Sequence, residues 1–71
     1  MPQVTGDELI AFLRKRRFVI LRQTGSHVLL LGPDGNQVVV PLHRCKDLGR
    51  GIAIRVLKDA GYSVDDFIRL K

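Results

Sequence analysis

Residues 18–41 read FVILRQTGSHVLLLGPDGNQVVVP, and the alternation of strand formers with turn formers along this stretch decides the fold. Phe18 to Thr24 is rich in β-branched and aromatic residues and reads as a strand. Gly25-Ser26 is a turn signal, and Val28 to Leu31 is a second strand. Gly32-Pro33-Asp34-Gly35-Asn36 is a stronger turn, because proline presets φ and glycine supplies a left-handed position. Val38 to Val40 is a third strand, closed by Pro41. Connections this short make the three strands an antiparallel meander.

Helical signals flank the meander on both sides. Thr5 followed by Glu8 is a capping box, and Asp7 and Glu8 place negative charge in a first turn. Leu9, Ile10 and Leu13 recur at helical spacing with Phe12 beside them, so a helix is expected over roughly residues 5 to 16. It ends in Arg14-Lys15-Arg16-Arg17, which reads either as a solvated helix terminus favoured by the dipole or as a set of phosphate contacts. Residues 42 to 49 read as a loop. Ile52, Ala53, Val56, Leu57 and Ala60 then form one apolar stripe, which predicts a second helix from about 50 to 60, with Gly61 suited to end it. Ser63 and Asp66 make another capping box before a short helix carrying Val64, Phe67 and Ile68. Helix, three-stranded meander, helix is an α+β sandwich of two layers in one domain spanning residues 1–71, with both main helices on one sheet face. The other face is then open. Strands one and two carry apolar residues on both parities, Phe18 and Ile20 against Val19 and Leu21, and Leu29 and Leu31 against Val28 and Leu30. Not all of them can reach the helices, and a partly apolar open face points to a partner.

Seventy-one residues make one small domain, with twelve Lys and Arg against seven Asp and Glu, a net charge of +5. Such an excess on so small a body favours a polyanionic partner, and nucleic acid before membrane. Apolar runs such as Val28 to Leu31 fall far short of the ~20 residues that cross a bilayer, so no membrane association is expected. The opening residues MPQVTGDE are acidic where a secretory leader is basic. The single cysteine, Cys45, excludes a disulfide scaffold and a cysteine-based zinc site and points to a reducing, cytoplasmic compartment. No His-Glu-x-x-His or Cys/His cluster suggests a metal, and no phosphate-cradling glycine loop suggests a nucleotide cofactor, so neither is expected. Gly32-Pro33-Asp34-Gly35 matches the GXXG of KH domains in letters only. That loop joins helices and grips a backbone, whereas this one joins strands and carries an aspartate.

Three stretches are candidates for chemistry: Arg22 to His27, Val39 to His43, and Lys46 to Gly51. His27 and His43 are the obvious proton-transfer groups, since histidine both takes and gives a proton near neutral pH. RNA cleavage needs a base for the 2′-hydroxyl and cations for the charge that grows on the phosphoryl oxygens. Arg22, Lys46 and Arg50 are the candidate cations. A helix beginning at Arg50-Gly51 would add backbone N–H donors, and Gly25 before His27 permits a ligand to approach the backbone closely. On these grounds alone a structural histidine beside a hairpin turn is the favoured reading of His27. His43 in a polar loop and Cys45, with no histidine paired to it in sequence, read as structural.

The succession TGDELIAFL (residues 5–13), GSH (25–27), PDG (33–35), VVVPLH (38–43) and GRG (49–51) before an amphipathic helix resembles the HicA (YcfA-like) toxin family, from Thr5 to about Leu70. The resemblance implies a double-stranded-RNA-binding-like α-β-β-β-α fold and a translation-independent mRNA interferase neutralised by a HicB antitoxin. It implies a catalytic histidine at His27, within Gly25-Ser26-His27. Arg22, Gly25, Ser26, Lys46, Arg50 and Gly51 are then the expected RNA contacts. The sequence departs from the family at Gly51-Ile52, where the family often has Gly-Thr; a hydroxyl that would cap the helix or touch phosphate is gone. A non-catalytic RNA-binding module, or a subunit that binds an acidic protein, would use the same basic surface without His27.

Overall fold

In the computed structural model, which describes residues 4–42 and 47–70, the elements run β1 (Val4–Thr5), α1 (Gly6–Lys15), β2 (Val19–Thr24), β3 (His27–Leu31), β4 (Gln37–Pro41), β5 (Asp47–Leu48), α2 (Arg50–Asp59) and α3 (Val64–Leu70). The meander forms as the turn residues require. β2, β3 and β4 are antiparallel neighbours in that order. Gly25 opens the first hairpin at φ +57, the left-handed position that a two-residue turn with glycine first demands. In the second, Gly32 N–H donates to the Asn36 carbonyl at 2.8 Å and Gly35 takes φ +87. The sequence reading missed one pairing. Residues 47 and 48, expected in a loop, form an antiparallel ladder with Val4 and Thr5. A two-residue ladder has no periodicity to announce it, and its partners are far apart in the chain.

Alternation along the strands sorts the two sheet faces. Val28, Leu30, Val38 and Val40 are buried, and they pack with Leu9, Phe12 and Leu13 of α1 and Ala53, Val56 and Leu57 of α2. The opposite face carries His27, Leu29 and Leu31 from β3 and Gln37, Val39 and Pro41 from β4, all exposed or half-buried. β2 is an edge strand with every residue exposed. A bulge at Leu21 breaks its alternation: Ile20 stands opposite Leu30, whereas Arg22 stands opposite Leu29. One extra residue therefore turns Arg22 and Thr24 onto the open face. Among the described residues, no helix is long and apolar enough to cross a membrane.

The helix ends follow their caps. Thr5 Oγ1 accepts the Glu8 N–H at 3.2 Å, and this half of the expected capping box starts α1. The Ser63–Asp66 box is complete, with both backbone N–H groups bonded to the other residue's side chain at 3.0 and 3.1 Å. The Ser63 N–H holds the Asp66 carboxylate below its ordinary pKa, helped by the Ser63 hydroxyl and by Arg69. α1 and α2 both end in a Schellman motif. Tyr62 N–H reaches the Leu57 carbonyl, with Gly61 at φ +88. Phe18 N–H reaches the Leu13 carbonyl, but Arg17 occupies the left-handed position at φ +72. A side chain there strains the backbone by roughly 1–2 kcal/mol. Arg17→Gly should raise stability by about 0.5–1 kcal/mol once the greater freedom of glycine in the unfolded chain is counted. Thermal denaturation should show a rise of several degrees; an unchanged or lower midpoint would mean that the Arg17 side chain stabilises the fold in a way its exposed position does not reveal.

Candidate functional site

His27 is the first residue of β3, directly after the Gly25-Ser26 turn, and its neighbours across the sheet are Thr24 on one side and Pro41 on the other. It is exposed on the open face. The turn is held against the chain beyond β4, where Leu42 N–H donates to the Ser26 carbonyl. A Cβ at Gly25 would meet nothing within 4 Å. Within the fold this glycine is thus needed for its positive φ, and the space beside it is open.

Two concavities meet at His27. One, of about 450 Å³, lies across the meander and is lined by Arg22, Thr24, His27 and Leu29 together with Gln37 and Val39. The other, of about 440 Å³, runs between β4 and α2. His27, Gln37 and Val39 line both; Pro41 adds to the sheet side of the second, and Ile52, Arg55 and Asp59 line it from α2. The helix is antiparallel to β4. The Asn36 side-chain amide donates to the Asp59 carbonyl at 3.3 Å at the helix C-terminus, and Ile52 in the first turn shares the groove with His27 and Pro41.

That direction brings the N-terminus of α2 to the end of the sheet where His27 stands. Gly49 is its N-cap and gives no side-chain bond. The first intrahelical bond is Ala53 N–H to the Gly49 carbonyl at 3.0 Å, so the N–H groups of Arg50, Gly51 and Ile52 have no carbonyl of the helix to bond. No acidic residue lies in this turn, and the positive end of the dipole there favours an anion. A Cβ at Gly51 would also meet nothing. Arg50 and Gly51 are exposed but line neither concavity at His27.

Of the residues expected from sequence, the structure thus gathers Arg22, Gly25, Ser26 and His27 at one hairpin, with Arg50 and Gly51 at the adjoining helix end. Lys46, His43 and Cys45 lie outside the described residues. The basic run from Arg14 to Arg17 precedes β2, so it sits at the sheet's far end, about 16 Å away along a strand of this length. Three polar residues at the site lie outside the stretches singled out from the sequence: Gln37, Arg55 and Asp59. Strand parity carried a signal for Gln37, once His27 is placed on the open face. Helical spacing carried one for the others, because Ile52, Arg55 and Asp59 follow at i, i+3 and i+7.

The assembled chemistry is one exposed imidazole with a guanidinium on either flank, Arg22 on the meander side and Arg55 on the α2 side, on a face with aliphatic side chains between. A family model described as HicA toxin of bacterial toxin-antitoxin matches residues 6–62. That span holds every residue of the candidate site and ends before α3. No match is found among curated proteins.

Proposed function

The chain belongs to the HicA toxin family of bacterial toxin–antitoxin systems, and from that membership we propose that it is an endoribonuclease that cuts mRNA with His27 as its base. The observation that carries the reading is the position of His27, exposed on an open sheet face where two concavities meet between Arg22 and Arg55. A single strand laid across this face would present successive phosphates to the two guanidinium groups. The imidazole takes the proton from a 2′-hydroxyl, and O2′ attacks the adjacent phosphorus. The P–O5′ bond breaks on the opposite side of phosphorus, and the leaving oxygen takes a proton from water at the open face, whose hydroxide takes back the proton held by the imidazolium and regenerates the base. The products are a 2′,3′-cyclic phosphate and a 5′-hydroxyl end. Arg22 and Arg55 offset the charge that grows on the phosphoryl oxygens. Arg50, Lys46 and the Gly51 N–H supply further phosphate contacts, and Gly25 and Ser26 leave room for the backbone of the strand. Acid–base and electrostatic catalysis complete this cycle, so the reaction is proposed as independent of metal and cofactor.

Membership of a toxin–antitoxin family implies an antitoxin partner. A HicB-like protein is the proposed one, covering the face that carries His27 and acting with the toxin in the cytoplasm.

End-labelled RNA tests the reading. Cleavage should leave a 2′,3′-cyclic phosphate, persist in excess EDTA, and stop when the nucleotide 5′ to the cut carries 2′-deoxyribose. Retardation of RNA without cleavage would replace the enzyme by an RNA-binding module. Negligible RNA binding at low salt would favour a subunit that meets an acidic protein.

A further inference from the structure

The groove between β4 and α2 is unlike the rest of the basic surface, because its far end carries an acid. Asp59 is the last residue of α2, where a negative charge opposes the helix dipole. Its carboxylate makes no hydrogen bond or ion pair with any described residue. Arg55 stands one turn earlier on the same face, in the less favourable order for an i,i+4 pair, and it too makes no ion pair among the described residues. Neither charge is paired among the described residues. A carboxylate repels phosphate, so Asp59 is unsuited to gripping an RNA backbone, and it can only accept hydrogen bonds.

We propose that this groove is a nucleobase subsite beside His27, in which Asp59 and Gln37 read a guanine. The inference rests on the ribonuclease reading of the open face given above. The groove's volume of about 440 Å³ lies within the range of small-ligand sites. Its long walls are aliphatic: Val39 is 49% exposed and Ile52 44% exposed, and both line the groove, offering flat apolar contact to a base inserted between sheet and helix. His27 and Pro41 close one end, and Gln37 and Asp59 form the other. A nucleotide whose phosphate lies against His27 and Arg55 therefore extends its base edge toward Gln37 and Asp59. Guanine matches them best. Its N1–H and N2–H are adjacent donors for the two oxygens of a carboxylate, and its O6 accepts from the Gln37 amide. Adenine and cytosine offer only their amino groups, and the single N–H of uracil is flanked by two carbonyls that the carboxylate repels. Single-stranded RNA is read through this Watson–Crick edge.

Binding of 2′-O-methyl heptamers, which the proposed reaction cannot cut, tests the subsite without depending on catalysis. The set is oligo-U and oligo-U with one central G, A or C, measured by fluorescence anisotropy at fixed low salt. The central-G heptamer should bind about tenfold more tightly than oligo-U, within the range of one good bidentate base contact. In Asp59→Asn that preference should fall to within twofold, with affinity for oligo-U unchanged or higher because a negative charge has left the groove. Equal affinities for all four heptamers, or a G preference that survives Asp59→Asn, overturns the proposal. All-ribose heptamers assayed in parallel separate the two readings. Binding with the G preference but no cleavage removes the ribonuclease and leaves the subsite standing; cleavage indifferent to the central base removes the subsite alone.

Discussion

His27→Ala should lower the rate of RNA cleavage by about 10²–10⁴, the usual cost of losing a general acid–base group, and should abolish growth inhibition in cells. The loss is chemical, because His27 is an exposed residue at the start of β3 with no part in the buried core. Circular dichroism and thermal denaturation of the variant should therefore match the parent. Substrate binding should change little, since Arg22 and Arg55, which flank His27 in the two concavities, remain in place. His43→Ala is the matched control, as it removes the chain's other histidine. If His43→Ala proves the more damaging change, the base is misassigned; if folded His27→Ala keeps full activity, the mechanism fails and binding alone remains.

Phe67→Ala should cost about 3–5 kcal/mol, the range for truncating a buried phenylalanine. Phe67 is fully buried and meets the Phe12 ring edge-on with centroids 5.2 Å apart; Phe12 meets Tyr62 in the same manner at 5.3 Å. These contacts tie α3 to α1. A domain of 71 residues has a total stability of only about 4–11 kcal/mol, so the variant should melt at least 15 °C lower or fail to fold. Ile68→Ala on the same helix is the comparison. Its side chain is 47% exposed, and the change should fall within about 0.5 kcal/mol. Equal effects from the two substitutions would mean that α3 does not close the core. The prediction also bears on family membership, because α3 lies beyond the matched residues 6–62 yet supplies a central core side chain.

Some of this was legible in the sequence because it depends on neighbours in the chain. Pro33 and Gly35 bend the second hairpin wherever they occur in a chain, and the Ser63–Asp66 box closes within four residues. The stripe of Ala53, Val56 and Leu57 identifies the buried face of α2 without reference to the sheet. Gly25 was expected to admit a ligand; its positive φ is a local backbone need that the fold makes plain. The 47–48 pairing with residues 4–5 is not legible in the sequence, since two residues carry too little pattern and the contact closes a long loop.

By itself the sequence determined the meander, the two helices that cover it, the excess of positive charge and the GSH segment at the end of the first hairpin. These follow from backbone preference and short-period hydrophobic pattern, which act over a few residues. The tertiary structure alone decided which side chains share the open face. Simple alternation puts Arg22 on the same side as Ile20, and only the bulge at Leu21, a property of how β2 pairs with β3, turns it toward His27. Likewise, only the antiparallel packing of α2 on β4 brings Arg55 and Asp59 into one groove with a histidine more than twenty residues earlier. Register and helix direction are set by the summed burial of both layers, a quantity that no local stretch of the chain contains.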